Sequence, residues 1–261
     1  MTAVAPTILA TCGGLNPGTW TDAVYGPLLF EAIRLARVPE SRAPRVLHVN
    51  TAGGDQRFVE GQELEAARLA GVEASHLRFF PRVNTASLAT AVGTADVVWV
   101  SGGSLVNLLA VWRAHGLPQV LHDAWRAGVV LAGGSAGGLC WHTGGVTTSF
   151  GPTADVVANG LGFVEGSLAV HYDSDPTRAP AYEEGVRAGV LAGGIALDEG
   201  TGVVYRDDGA GPALVDVVSE RPEGRVLRVR RDGDRVVTEA LDPRVLRSPP
   251  SSLDSIQEPR A

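Results

Sequence analysis

Cysteine is nearly absent from this 261-residue sequence: only Cys12 and Cys140 occur. Two thiols without C-x-x-C spacing exclude a disulfide framework and a cysteine-built zinc site, and both are expected to be reduced and buried. Runs of positive charge are missing too. The 22 basic residues are scattered and outnumbered by 29 acidic ones, for a formal net charge of −7. Phosphate backbones are bound by clustered Lys and Arg, so no nucleic-acid partner is expected. No apolar stretch approaches the roughly 20 residues that span a bilayer. The N-terminus also lacks the charged and apolar regions of a signal peptide. The expectation is therefore no membrane partner and a cytoplasmic location. Neither G-x-G-x-x-G nor a P-loop lysine is present, which removes the commonest phosphate cradles.

What the sequence does have is apolar residues at 44%, charge at only 20%, and 33 glycines. That balance fits a compact fold with many tight turns. One catalytic domain over 1–247 is expected, with 248–261, rich in Pro and Ser, as a loose tail. Apolar runs alternate with segments of helical period. Strands are expected over 7–12, 45–51, 76–80, 96–100 and from 128, with helices over 20–37, 59–70, 87–92, 105–115 and a start at 139–142. Further on, strands over 168–172 and 194–197 flank a helix over 181–191. From Val203 the pattern is strands only, with Asp232-Gly233 suited to a hairpin turn between 225–231 and 235–241. Alternation of this kind predicts an α/β fold with a doubly wound, mostly parallel sheet and antiparallel strands at the C-terminal edge.

Gly133-Gly134-Ser135-Ala136-Gly137 fits G-x-S-x-G between a buried strand and a helix. A serine on such a turn is exposed on strained backbone that tolerates only small neighbours, and the helix start adds positive potential where an oxyanion would form. Ser135 is the candidate nucleophile; the competing reading is a glycine-rich helix cap. Of six histidines, only His171 ends a downstream apolar strand, which makes it the candidate base. His48 reads as a satisfied strand residue, and His76, His115, His122 and His142 as surface residues. The third group comes from Asp198-Glu199, two neighbouring carboxylates that alternation alone does not separate. Oxyanion donors are expected from the N–H groups of Ala136 and Gly103, the latter within Ser101-Gly102-Gly103-Ser104. Ser104 reads equally as an N-cap. His171, Asp173 and Asp175 form a weaker metal-ligand reading with nothing to complete the coordination sphere.

Taken together, S-G-G-S at 101–104, G-G-S-A-G at 133–137 followed by Cys140-Trp141, His171-Tyr172-Asp173 and A-L-D-E-G at 196–200 resemble the peptidase E family of serine dipeptidases. The resemblance covers about 7–206. It implies a fold like that of class I glutamine amidotransferases, hydrolysis of short peptides with a free N-terminus, typically after aspartate, a Ser135-His171-Glu199 triad, and no metal or organic cofactor. Family members commonly carry G-G-N-T where this chain has Gly102-Gly103-Ser104-Leu105, so the substrate pocket at Ser104 departs from the pattern. Some members place an acid where Thr147-Thr148-Ser149-Phe150 stands here, which favours Glu199 as this chain's acid. Arg178 matches a substrate-binding arginine of the family; its alternative is a solvated surface residue. The rival readings are a cyanophycinase-like hydrolase of β-aspartyl-arginine links and a non-catalytic binding protein on the same fold. The expected partner is a short peptide substrate, with a homo-oligomer left open.

Overall fold

The computed structural model describes residues 5–247; positions 1–4 and the expected tail lie outside the described residues. Strands buried on both faces have no polar face to alternate with, so they pair as a parallel sheet between helices. Thr7–Cys12, Val130–Gly134, Val97–Val100, Arg45–Val49 and Glu73–Leu77 lie in that order, all parallel. Thr201–Asp207 and Pro212–Ser219 add antiparallel neighbours beyond Thr7–Cys12, and Arg244–Val245 completes eight strands. Helices cover both faces. Ile8, Val98 and Leu131 pack with Trp112 and Trp141 on one side. Leu9, Trp99 and Val130 pack with Leu28 and Leu29 on the other.

The sequence pattern suggests one sheet, whereas the structure forms a second, six-stranded one. Its centre is parallel, built from His142–Thr147, Val164–Ala169 and Gly194–Leu197. Asp155–Val157 and the Val226–Asp232/Arg235–Leu241 hairpin flank it antiparallel. The fold is thus mixed α/β, largely parallel, with antiparallel C-terminal strands. The strand His142–Thr147 escaped the sequence reading because Gly144-Gly145 has weak strand character. Glycine is required there: a methyl group at 145 would sit 2.0 Å from Leu168 O on the neighbouring strand.

Two helices also differ. The first spans only Pro27–Leu35, because Pro27 occupies the first turn, where its missing N–H costs nothing, while Val24–Tyr25 pairs with Leu15–Asn16. The helix Leu117–Arg126 had no counterpart in the sequence reading. It restarts the chain after Gly116, at φ 68°, with a proline again in the first turn. The hairpin loop falls on Gly233-Asp234, one residue later than expected, since Asp232 pairs with Arg235. Gly233 takes the positive φ, 61°, that the first loop position needs.

Candidate active site

Ser135 follows the strand Val130–Gly134 and precedes the single helical turn Ala136–Leu139. Its backbone is at φ 56°, ψ −120°, a conformation that L-residues avoid unless their surroundings impose it. Two contacts impose it. The Ser135 N–H donates to Thr11 O at 2.9 Å, and Gly137 packs so closely on the adjacent strand that an added methyl would lie 2.0 Å from Val100 O. As the first residue of the turn, Ala136 has no acceptor for its N–H within the helix. Across from it, the Cα of Gly102 faces Ser135, and a methyl group added to that glycine would lie only 3.1 Å from the serine Cβ. The corresponding position on Gly103 (φ 137°) faces Ala52 O instead, so of the two glycines it is Gly102 whose Cα packs on the serine.

Ser135 Oγ lies 2.8 Å from His171 Nε2. The other ring nitrogen, Nδ1, makes a very short hydrogen bond to Glu199 Oε1. His171 follows Val164–Ala169 and Glu199 follows Gly194–Leu197, so the first sheet supplies the serine and the second supplies the histidine and the carboxylate. All three stand just past the carboxyl ends of parallel strands, the usual place for ligands in open α/β sheets. His171 itself has φ 58°, a second non-glycine residue held in the left-handed region. Glu199 also accepts from Ser174 Oγ at 2.9 Å, and its N–H donates to Asp173 Oδ1 at 2.9 Å. Burial would raise the Glu199 carboxyl, but the bond and charge of His171, with Ser174 and Cys12, hold it below the ordinary range. Asp198 points elsewhere: it is buried and accepts from Arg225 Nε at 2.8 Å.

Comparison with known proteins identifies the family. The model of peptidase family S51 matches residues 29–211. The uncharacterized peptidase YgaJ of Bacillus subtilis (strain 168) is 36% identical over 186 residues, which is 71% of this chain and 78% of that protein. The chain belongs to peptidase family S51. It is a serine peptidase of the peptidase E family. At the level of fold, it resembles the crystal structure of a peptidase from an acI-B1 Actinobacterium, with TM-score 0.60 and 18% identity over 91% of this chain and 96% of that one. A Listeria monocytogenes EGD-e protein provisionally assigned to peptidase E gives TM-score 0.52 at 16% identity, covering 91% of this chain and all of that one.

In this S51 peptidase, Cys12 is the residue that sequence reasoning missed. The first strand ends at Cys12 and places its thiol beneath the His171–Glu199 pair. Its Sγ accepts from the His171 N–H at 3.2 Å, donates to Glu199 Oε2 at 3.4 Å and lies 3.5 Å from His171 Nδ1. Burial, then the Glu199 charge, push this thiol well up from its ordinary range, so it stays protonated and able to donate. No sequence signal points to this role, because Cys12 is 159 residues from His171 along the chain.

Other expected residues are placed as follows. Ser104 is the N-cap of the helix Leu105–Ala114, its Oγ accepting from Asn107 N at 3.3 Å. Arg178 is buried, not a solvated surface residue. Its guanidinium donates to Asp175 at 3.0 Å, to Val146 O at 2.7 Å and to Thr148 Oγ1 at 3.3 Å. The grouping of His171 with Asp173 and Asp175 does not form, since Asp173 is paired with Arg221 and Asp175 with Arg178. Two histidines expected at the surface are instead buried. His142 meets Tyr205 OH at 3.2 Å, and burial lowers its pKa to about 4. The His76 side chain, only 4% exposed, meets Glu63 at 2.7 Å. A concavity of about 570 Å3 lined by His122, Trp125, Phe163 and Asp207 includes none of Ser135, His171 and Glu199. Among the described residues no helix is long and apolar enough to cross a membrane.

Proposed function

We propose that this S51 peptidase is an exopeptidase that cleaves short peptides with a free N-terminus, in the manner of dipeptidase E, through an acyl-enzyme formed on Ser135. The observation that carries the reading is the linear relay from Ser135 Oγ through His171 to Glu199. As Ser135 Oγ attacks the scissile carbonyl, its proton passes to His171 Nε2, and Glu199 stabilises the resulting imidazolium through Nδ1–H. The N–H of Ala136 and one from the Gly102-Gly103 loop are the donors for the oxyanion. His171 then protonates the leaving amine, and a water activated by the same nitrogen hydrolyses the ester. Ser104 and the segment around Arg178 would border the substrate.

The test is a dipeptide library assayed with wild type and Ser135→Ala. Removing the serine should leave only the small residual catalysis of binding and oxyanion stabilisation, a loss of roughly 10³-fold or more in kcat. A serine-directed phosphonate should label wild type and not the variant. Unchanged turnover in folded Ser135→Ala overturns the nucleophile. Turnover of β-aspartyl-arginine in place of α-peptides overturns the substrate class while leaving the triad intact.

A further inference from the structure

Beneath the proposed relay three different metal-binding side chains converge. Cys12 Sγ, His171 Nδ1 and a Glu199 carboxylate oxygen come from three strand ends and lie within 4.8 Å of one another. The sulfur is 3.5 Å from Nδ1 and 3.4 Å from Oε2. A tetrahedral zinc with Zn–S near 2.3 Å and Zn–N or Zn–O near 2.0–2.1 Å has S-to-N and S-to-O edges of about 3.5 Å. Only the short His171–Glu199 bond has to lengthen. Cys12 is fully buried, whereas the side chains of His171 and Glu199 are 28% and 36% exposed, so a cation can approach the group from the solvent side.

We propose that Cys12, His171 and Glu199 form an inhibitory site for a thiophilic divalent cation such as Zn²⁺. The inference rests on the proposed triad, because it specifies how that triad is switched off. Thiolate and imidazole donors favour zinc over magnesium or calcium. Binding replaces the thiol proton, which leaves to solvent, and occupies the Nδ1 lone pair. The imidazole must then carry its proton on Nε2. In that tautomer Nε2–H donates to Ser135 Oγ and no longer accepts from it, so the serine has lost its base. The other His and carboxylate group, His48, Glu63 and His76, is less suited. It offers no thiolate, and its carboxylate already accepts from His76 at 2.7 Å. Glu63 is already taken by Asn50 and Ser101.

The experiment is a calorimetric Zn²⁺ titration of the full chain in wild type, Cys12→Ser and Ser135→Ala, with circular dichroism to confirm folding. Co²⁺ serves as a spectroscopic substitute. Wild type should bind one equivalent and show a thiolate-to-cobalt band. Cys12→Ser should lose the band and bind more than about 100-fold more weakly, beyond the effect of removing an outer-shell partner. Ser135→Ala should bind like wild type. Dipeptide hydrolysis by wild type should fall in step with occupancy and return on chelation. The His171 imidazole nitrogen signals should show the proton moving to Nε2, which needs no turnover to observe. Equal affinity in wild type and Cys12→Ser, no stoichiometric binding, or zinc bound without the change of tautomer overturns the site. If the chain proves inactive on peptides but binds zinc through Cys12, the functional reading fails and the metal site stands.

Discussion

Asp198 and Glu199 are adjacent carboxylates at a strand end, and successive strand residues point to opposite faces, so only one can reach the imidazole. Sequence alternation does not choose between them, because Gly194–Leu197 is covered on both faces and both parities are apolar. The resemblance to peptidase E does choose, on the strength of the acid just before the glycine. In the structure Glu199 reaches Nδ1 of His171, while Asp198 is held by Arg225. Glu199→Gln should therefore lower kcat by roughly 10⁴, the loss seen when a triad acid becomes its amide and the base is left in the wrong tautomer. Asp198→Asn should leave kcat near wild type and lower only the thermal midpoint. Measuring kcat for both variants decides it; the reverse ranking would move the acid to Asp198. Cys12 shows the limit of residue-level reading, since nothing local to the first strand announces that it ends under a histidine from the second sheet.

At the scale of elements, the legible ones were those with a single period and clear ends. The strand Val97–Val100 and the helix Leu105–Ala114 were read almost to the residue, because a continuous apolar run gives way to a serine cap and then to helical spacing. Segments that join two signals were not. Pro27 was passed over inside a longer helix and Pro118 looks like a break, yet both stand in the first turn of a helix, and glycines at 144 and 145 hide a strand whose packing requires them. Arg178 belongs to this scale. Its side chain joins the first turn of the helix Arg178–Arg187 to Val146 O and Thr148, at the end of His142–Thr147. Arg178→Ala would leave a buried carbonyl without its charged donor. It should cost about 1.5–3 kcal/mol, the range for hydrogen bonds to charged groups, read as a lower urea midpoint. Acidic and neutral dipeptides should lose kcat/KM to a similar degree. A loss confined to acidic substrates would instead assign Arg178 to binding the substrate carboxylate.

Across the whole molecule, the alternation of strands and helices was legible apart from the helix Leu117–Arg126 and the strand His142–Thr147, but the division into two sheets was not, because pairing between distant strands leaves no periodic trace. The same holds for the buried network that joins the helix Arg57–Leu69 to the central sheet. Glu63 is wholly buried and accepts from His76 at 2.7 Å, from Asn50 at 2.7 Å and from Ser101 at 2.9 Å. Ser101 directly precedes Gly102, whose Cα faces Ser135, so this carboxylate also anchors the proposed oxyanion loop. Burial alone would raise the Glu63 pKa, but His48 in contact at 3.5 Å and the hydrogen bonds from His76 and Asn50 outweigh it and depress it strongly. In the unfolded chain a glutamate titrates near about 4.3. A depressed folded pKa means that the unfolded state takes up the proton first, so the stabilisation is complete above that value and declines as the pH falls toward the folded pKa. Asp96, Asp173 and Asp175, each depressed by arginine or N–H partners and, for Asp175, by the Thr177 hydroxyl against the cost of burial, act in the same direction. The thermal midpoint should therefore begin to fall below about pH 6.5, where the unfolded chain protonates the histidine that burial keeps neutral at His142, and fall more steeply below about pH 4.3 as the carboxylates protonate. Glu63→Gln, which keeps the shape but replaces one acceptor oxygen with a donor, should lower the midpoint at pH 7 and flatten its decline in acid. Calorimetric scans of both proteins between neutral and acidic pH check this. A Glu63→Gln protein whose midpoint falls as steeply in acid as the wild type would show that Glu63 is not among the groups whose protonation unfolds the chain.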